Sequence, residues 1–220
     1  MADALEAHDL YRFYHSDDEE TLALRGVSLV VEAGQIIAVT GPSGSGKSTL
    51  LACLAGLDDP DGGTVKVVGE VLSRRDEPTR ARLRARHIGM LFQANNLVEH
   101  LSIIENVRLA QRLAGGPAPA PVEELLDRLG LPGRGRSAPS HLSGGEAARA
   151  GLAVALANNP AIVLADEPTG ELDAVSEGRV LALLRDAADR GAAVVVVTHS
   201  PAVAAFANDT VTLTDGRRVA

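Results

Sequence analysis

Aromatic side chains are almost absent from this 220-residue chain, which has three Phe, two Tyr and no Trp. A core without them must be filled by Val, Leu, Ile and Ala, which suits a parallel sheet covered by helices on both faces. Few aromatics and a net charge of −8 also argue against a general nucleic-acid surface. Lysine occurs only at 47 and 66. A single cysteine, Cys53, excludes an internal disulfide and fits a reducing setting. No apolar run approaches the roughly 18 residues that cross a bilayer. The longest, Ala192 to Val197, is the length of one strand. The N-terminal MADALEAHDL lacks the basic and then apolar pattern of a signal peptide, so any membrane role is expected to come through a partner.

What is present is an ordinary globular composition, 45 % apolar and 23 % charged, in a chain long enough for one domain with a subdomain. Short apolar runs fill 5–40 and end in Ile36 to Val39. Leu50, Leu51 and Leu54 follow at helical spacing, and Thr64 to Val68 reads as a strand. Arg74 to Arg86 is strongly basic and reads as a helix with a solvated face. The middle, about 93–142, has few strand signals. It predicts helices over Ile103 to Leu113 and Glu123 to Leu129, with loops at 115–121 and 132–136. Strand and helix alternation then returns, with strands at Ile162 to Ala165 and Ala193 to Val197 and a helix at about 175–189 between them.

Two segments carry chemistry. Gly41-Pro42-Ser43-Gly44-Ser45-Gly46-Lys47-Ser48-Thr49 satisfies the phosphate-loop pattern, after an apolar run and before a helix. Its glycines let the backbone curl around phosphate, and its amides point inward at a helix N-terminus. Lys47 is expected to reach the β- and γ-phosphates, and the Ser48 hydroxyl to ligate Mg²⁺. The second segment is an apolar strand ending in Asp166-Glu167. At the C-terminal edge of a parallel sheet such acids lie where α/β folds bind ligands. Adjacent acids on an extended segment point in different directions. Asp166 is therefore assigned to Mg²⁺ through a water, and Glu167 to the attacking water as general base.

Leu142-Ser143-Gly144-Gly145-Glu146, some twenty residues before that strand, resembles the signature motif of ABC ATPases. Other segments then match the family in order over roughly residues 5–219. Phe92-Gln93 resembles the Q-loop, Glu167 to Asp173 the catalytic glutamate and D-loop, and Thr198-His199 the H-loop. The resemblance implies ATP and Mg²⁺ as ligands and ATP hydrolysis as the activity. It implies that Ser143, Gly144 and Gly145 serve ATP bound to a second copy in a head-to-tail dimer, with Asp173 at the interface. Gln93 is implied to sense Mg²⁺ and the water and to couple the helical subdomain to the core. His199 is implied to meet the γ-phosphate and Glu167. Tyr14 sits where the family stacks an aromatic on adenine, although Tyr11 and Phe13 are close by. The implied fold is α/β: a RecA-like P-loop NTPase core with an antiparallel β subdomain and an inserted α-helical subdomain. The whole of 1–220 is then one nucleotide-binding domain, with 1–92 and 144–220 as core and 93–143 as the helical part.

The chain departs from the family at Glu146, where Gln is common, in the helix Ala147-Ala148-Arg149-Ala150-Gly151, and at Val154, where Arg is typical. Those departures bear on the contact between copies, not on the phosphate loop. The EPTGELD segment and the short helical part resemble the lipoprotein-release and macrolide-export group, whose permeases are FtsX-like. That resemblance implies a peripheral subunit at the cytoplasmic face of the membrane, driving export or mechanotransmission. The membrane is touched only through the permease, whose coupling helix enters a groove formed by 94–107, and nucleic acid is not contacted directly. The rival reading is a soluble ABC ATPase acting on a nucleic-acid or ribosomal partner. Such proteins usually carry two nucleotide domains or a long coiled coil, and this chain has neither pattern.

Overall fold

The computed structural model describes residues 3–219 apart from 17, 18, 95, 117, 118 and 120, so the loop expected at 115–121 lies partly outside the described residues. Two long strands open the chain. β1 (Asp3–Ser16) and β2 (Glu19–Glu32) pair antiparallel. β1 also pairs with β4 (Gly62–Val67), and β4 with β5 (Glu70–Val71), giving a four-stranded antiparallel sheet in the order β2-β1-β4-β5. The sequence shows only short apolar runs here because the β1–β2 register shifts between Ala7 and Leu10 and between Arg12 and Phe13. Each shift breaks the two-residue alternation that marks a strand.

The second sheet has the order β10-β9-β3-β8-β7-β6. β3 (Ile36–Thr40), β6 (Ile88–Leu91), β7 (Ile162–Asp166), β8 (Ala193–Val197) and β9 (Asp209–Thr214) run parallel. β10 (Arg217–Arg218) returns antiparallel on β9. β3 up to Val39, β7 up to Ala165 and all of β8 are apolar because both sheet faces are covered. Alternation decides which face each residue meets. Ile37, Val39, Leu164 and Val195 join the cluster that holds β1, β2 and helix α1 (Lys47–Leu54). Ile36, Val163, Val194 and Val196 join the opposite cluster.

That opposite cluster is continuous with the helical middle. It takes in Ile103 and Val107 of α3 (Ile103–Leu113) and Val122, Leu125 and Leu126 of α4 (Val122–Arg128). The sequence placed both helices within a residue of their observed ends, because their apolar positions recur at helical spacing. The basic stretch forms α2 (Glu77–His87), beginning three residues later than Arg74, which instead takes a left-handed turn at φ 57°. Arg82 and Arg86 are exposed, as expected of a solvated face, whereas Arg80 and Arg84 are largely buried and both reach Glu77 at 2.9 Å.

Helix α5 (Gly144–Ala155) packs on edge strand β6 and on α3. The approach to β6 is close at Gly89, where a β-carbon would come within 2.2 Å of the Ala155 carbonyl oxygen. That oxygen is backbone and cannot rotate away. Gly89→Ala should therefore destabilise the fold by about 2–3 kcal/mol, as overpacking does. For a domain of this size that lowers the Tm by about 5–10 °C. Calorimetry checks it, and an unchanged Tm would show that α5 can retreat from β6 at no cost. The fold is completed by α6 (Ala174–Asp189) and α7 (Pro201–Phe206).

Candidate functional site

Three neighbouring parallel strands, β3, β8 and β7, end at the same sheet edge. Thr40 leads into the phosphate loop, Val197 into Thr198-His199, and Asp166 into Glu167. Register ties these exits together: the Thr198 amide donates to the Val39 carbonyl at 3.0 Å, and the Glu167 amide to the Val197 carbonyl at 2.9 Å. Residues more than a hundred positions apart are thereby brought to one cavity of about 620 Å³, lined by Lys47, Ser48, Gln93, Asp166, Glu167 and His199.

The phosphate loop enters α1 through Gly46, whose φ of 99° suits glycine and where a β-carbon would meet the Ala23 carbonyl at 2.4 Å. The Lys47 ammonium is buried and donates to the carbonyls of Gly41 and Pro42, both at 2.9 Å. Burial lowers its pKa, and the charges of Glu167 and Asp166 act against that shift. The β9–β10 turn holds the loop from the side: the Gly216 amide donates to the Ser45 carbonyl at 3.1 Å. The sequence reading assigned nothing to 215–216, although Asp215-Gly216 is a hairpin-turn dipeptide.

Ser48, Gln93 and Asp166, the residues expected at Mg²⁺, all line the Lys47 cavity. Burial raises the Asp166 pKa and Glu167 adds to the rise, while Ser48, Lys47 and His199 oppose it. No group of three metal-ligating side chains exists among the described residues. One hydroxyl and one carboxylate beside a phosphate loop fit Mg²⁺, which keeps waters and uses substrate phosphates as ligands.

Glu167 differs from its expected geometry. It is not extended but left-handed, at φ 45°, a sparsely populated region for a non-glycine residue. Strand alternation therefore does not separate the two acids; a backbone turn does, and both face the same cavity. Glu167 Oε2 accepts the His199 amide at 3.3 Å, and Oε1 lies 3.6 Å from His199 Nε2. Oε1 is otherwise buried and has no hydrogen-bond partner among the described residues, while Glu167 lines the cavity.

A second cavity of about 350 Å³ continues past Lys47 and Ser48 to Tyr14, Thr49 and Gly216. Of the three aromatics, Tyr14 is the one that lines it. Tyr11 instead packs over Gly26 and Gly62. Arg12 covers one face of the Tyr14 ring at 4.8 Å, and Asp58 accepts the Tyr14 hydroxyl at 2.8 Å. Asp58 also takes Arg12 Nε and Nη2, both at 2.8 Å. Burial and Asp58 raise the tyrosine pKa. No local pattern links Arg12 to Asp58, which lie 46 residues apart.

Gln93 lines both the Lys47 cavity and a third of about 580 Å³, lined also by Phe92, Ala94, Asn96, Leu97 and Leu172. Two asparagines shape this stretch. Asn96 accepts the Phe92 amide at 2.7 Å and donates to its carbonyl at 2.6 Å. Buried Asn106 accepts the Val98 amide at 2.7 Å and donates to the carbonyls of Leu101 and Ser102 at 3.1 and 3.0 Å. Of the groove expected over 94–107, residue 95 lies outside the described residues.

Ser143, Gly144 and Gly145 form the N-terminus of α5, away from the Lys47 cavity. Gly145 abuts Ser176 of α6, beside Asp173. Asp173 caps α6, accepting the amides of Val175 and Ser176 at 3.0 Å, and these bonds lower its pKa. Cys53 is buried and its thiol is pushed up to about 12 by burial, which fits a packing residue.

Comparison with known proteins agrees with this geometry. The family profile described as ABC transporter matches residues 24–170. The macrolide export ATP-binding/permease protein MacB of Salmonella paratyphi A is 42 % identical over the whole of this chain, and that of Escherichia coli K12 is 41 % identical. The chain spans 34 % of the length of those relatives. The dimeric bacterial ABC transporter cassette MJ0796 superposes with a TM-score of 0.90 at 34 % identity, covering 98 % of this chain and 97 % of that one. Its dimeric post-hydrolysis state bound to ADP and Pi superposes equally well, at a TM-score of 0.90.

Proposed function

This chain belongs to the ABC transporter family, and on that premise we propose that it is the motor of a membrane machine, closing on ATP as a dimer and driving a permease. It is an ATP-binding and ATP-hydrolysing cassette. The observation that carries the reading is the convergence of Lys47, Asp166, Glu167 and His199 on one cavity at a single sheet edge.

The geometry and the family resemblance support these roles. The loop amides and Lys47 hold the β- and γ-phosphates, and Tyr14 stacks on the adenine with Arg12 behind it. Ser48 and Asp166 hold Mg²⁺, which when bound neutralises charge on the phosphates. Glu167 takes the proton of the attacking water, and His199 orients that carboxylate. Gln93, at the junction of two cavities, carries the state of the site to the helical part. Ser143 to Gly145 and Asp173 complete the site of a second copy, head to tail.

The relatives are named as ATP-binding/permease proteins, and this chain corresponds to a third of their length. The remaining machinery here is proposed to be an FtsX-like permease, with the cassette at the cytoplasmic face and with export or mechanotransmission as the work done. Among the described residues no helix is long and apolar enough to cross a membrane. Affinity purification from detergent-solubilised membranes tests the proposal. A permease is expected to come down with the chain. A ribosomal or DNA-bound partner in its place would overturn this reading in favour of the rival one.

A further inference from the structure

Glu146 stands three residues into α5, and its carboxylate has turned back over the helix end. Oε2 accepts both the amide and the hydroxyl of Ser143, each at 3.0 Å, while the Glu146 amide donates to Ser143 Oγ at 3.3 Å. Oε1 accepts Arg134 Nε at 2.8 Å, and Arg134 Nη2 is also at 2.8 Å. The Ser143–Glu146 half is a capping box, which many helices use. The Arg134 half is not required by capping. It ties the helix head to the 132–136 turn after α4, in the helical middle of the chain.

The position of this carboxylate has a consequence. A helix N-terminus carries roughly half a positive charge and unpaired amides, the features that bind phosphate. Here that charge already faces a resident anion. Ser143 has one hydroxyl proton, and it is directed to Glu146. A neutral Gln at this position could cap the helix without placing a negative charge beside an incoming phosphate.

We infer that Glu146 competes with the partner's γ-phosphate for the head of α5, and that Arg134 sets the strength of the competition by holding and neutralising the carboxylate. This rests on the proposed reading of Ser143 to Gly145 as the site for the second copy's ATP. Closure then requires Ser143 to exchange one acceptor for another. Arg134 links that exchange to the helical part of the chain.

The test uses Glu167→Gln protein as parent, with dimer formation followed by size exclusion across an ATP and Mg²⁺ titration. Glu146→Gln in that parent should dimerise at about tenfold lower ATP, the scale of removing a charge from a helix terminus at a partly buried contact. Its Tm should be equal or slightly lower, since the cap is no better. Arg134→Ala should require more ATP, and should have no effect once Glu146 is Gln. A higher ATP requirement in Glu146→Gln would mean that Glu146 acts only as a better cap than Gln. That result, or an unmoved midpoint in a parent that dimerises, overturns the role of Glu146 alone. A parent that stays monomeric overturns the composite site, and this inference with it.

Discussion

Lys47→Ala is expected to reduce ATP turnover by at least about a thousandfold, leaving no steady-state phosphate release above background. Three features lead to that magnitude. The ammonium is buried at the head of α1, so its charge acts in a medium that screens it poorly. Among the described residues it has no carboxylate partner at hydrogen-bond distance, and it donates to the Gly41 and Pro42 carbonyls at 2.9 Å. A phosphate oxygen can replace those neutral acceptors with a net gain. The burial that lowers its pKa also makes it valuable to an anion, because the charged form is then best stabilised by a ligand of opposite sign. A phosphate-release assay checks the prediction, with a melting curve to confirm folding. Turnover at the unmodified rate would end the mechanism proposed for this site.

Glu167→Gln should slow hydrolysis by about 10²–10⁴-fold, the usual worth of a positioned general base. It should also accumulate an ATP-bound dimer in size-exclusion runs with Mg²⁺. Gln keeps the length of the side chain and an acceptor for the His199 amide, which Glu167 Oε2 now receives at 3.3 Å. It loses the charge at Oε1, which is buried 3.6 Å from His199 Nε2. Gln tolerates the left-handed backbone no worse than Glu, so the fold at φ 45° should persist. With ATP held and unhydrolysed, the contact between copies is no longer released. A chain that stays monomeric with ATP and Mg²⁺ would exclude the composite site, whatever its hydrolysis rate.

The two predictions draw on different amounts of sequence information. Lys47 was legible because its whole constellation is local. Nine consecutive residues set the loop, and the apolar run before them and the helical leucines after them supply its context. Glu167 was legible as a residue but not as a geometry. Its turn out of β7 is tied by the hydrogen bond from its amide to the carbonyl of Val197, a residue thirty positions away. The same contrast recurs elsewhere. α3 and α4 could be read from their spacing, and the long β1–β2 pair could not, since its register shifts arise between strands. Tyr14 could not be separated from Tyr11 and Phe13 until Arg12 and Asp58 placed it, and Asn106 gave no sign of the loop it holds.

The sequence by itself determined that this chain carries a phosphate-loop pattern at Gly41 to Thr49 and an acidic pair after an apolar strand, and is built as alternating strands and helices. Each of these is written in contiguous residues, whose local spacing and backbone chemistry need no distant partner. Only the tertiary structure decided that Lys47, Asp166, Glu167 and His199 share a cavity, because parallel pairing of β3, β8 and β7 sets which strand ends meet. Only it decided that Glu146 occupies the head of α5 under the hold of Arg134. The first joins segments far apart in the chain, and the second crosses the loop between α4 and α5. Their energies depend on how the intervening residues pack, and no single stretch of sequence carries that.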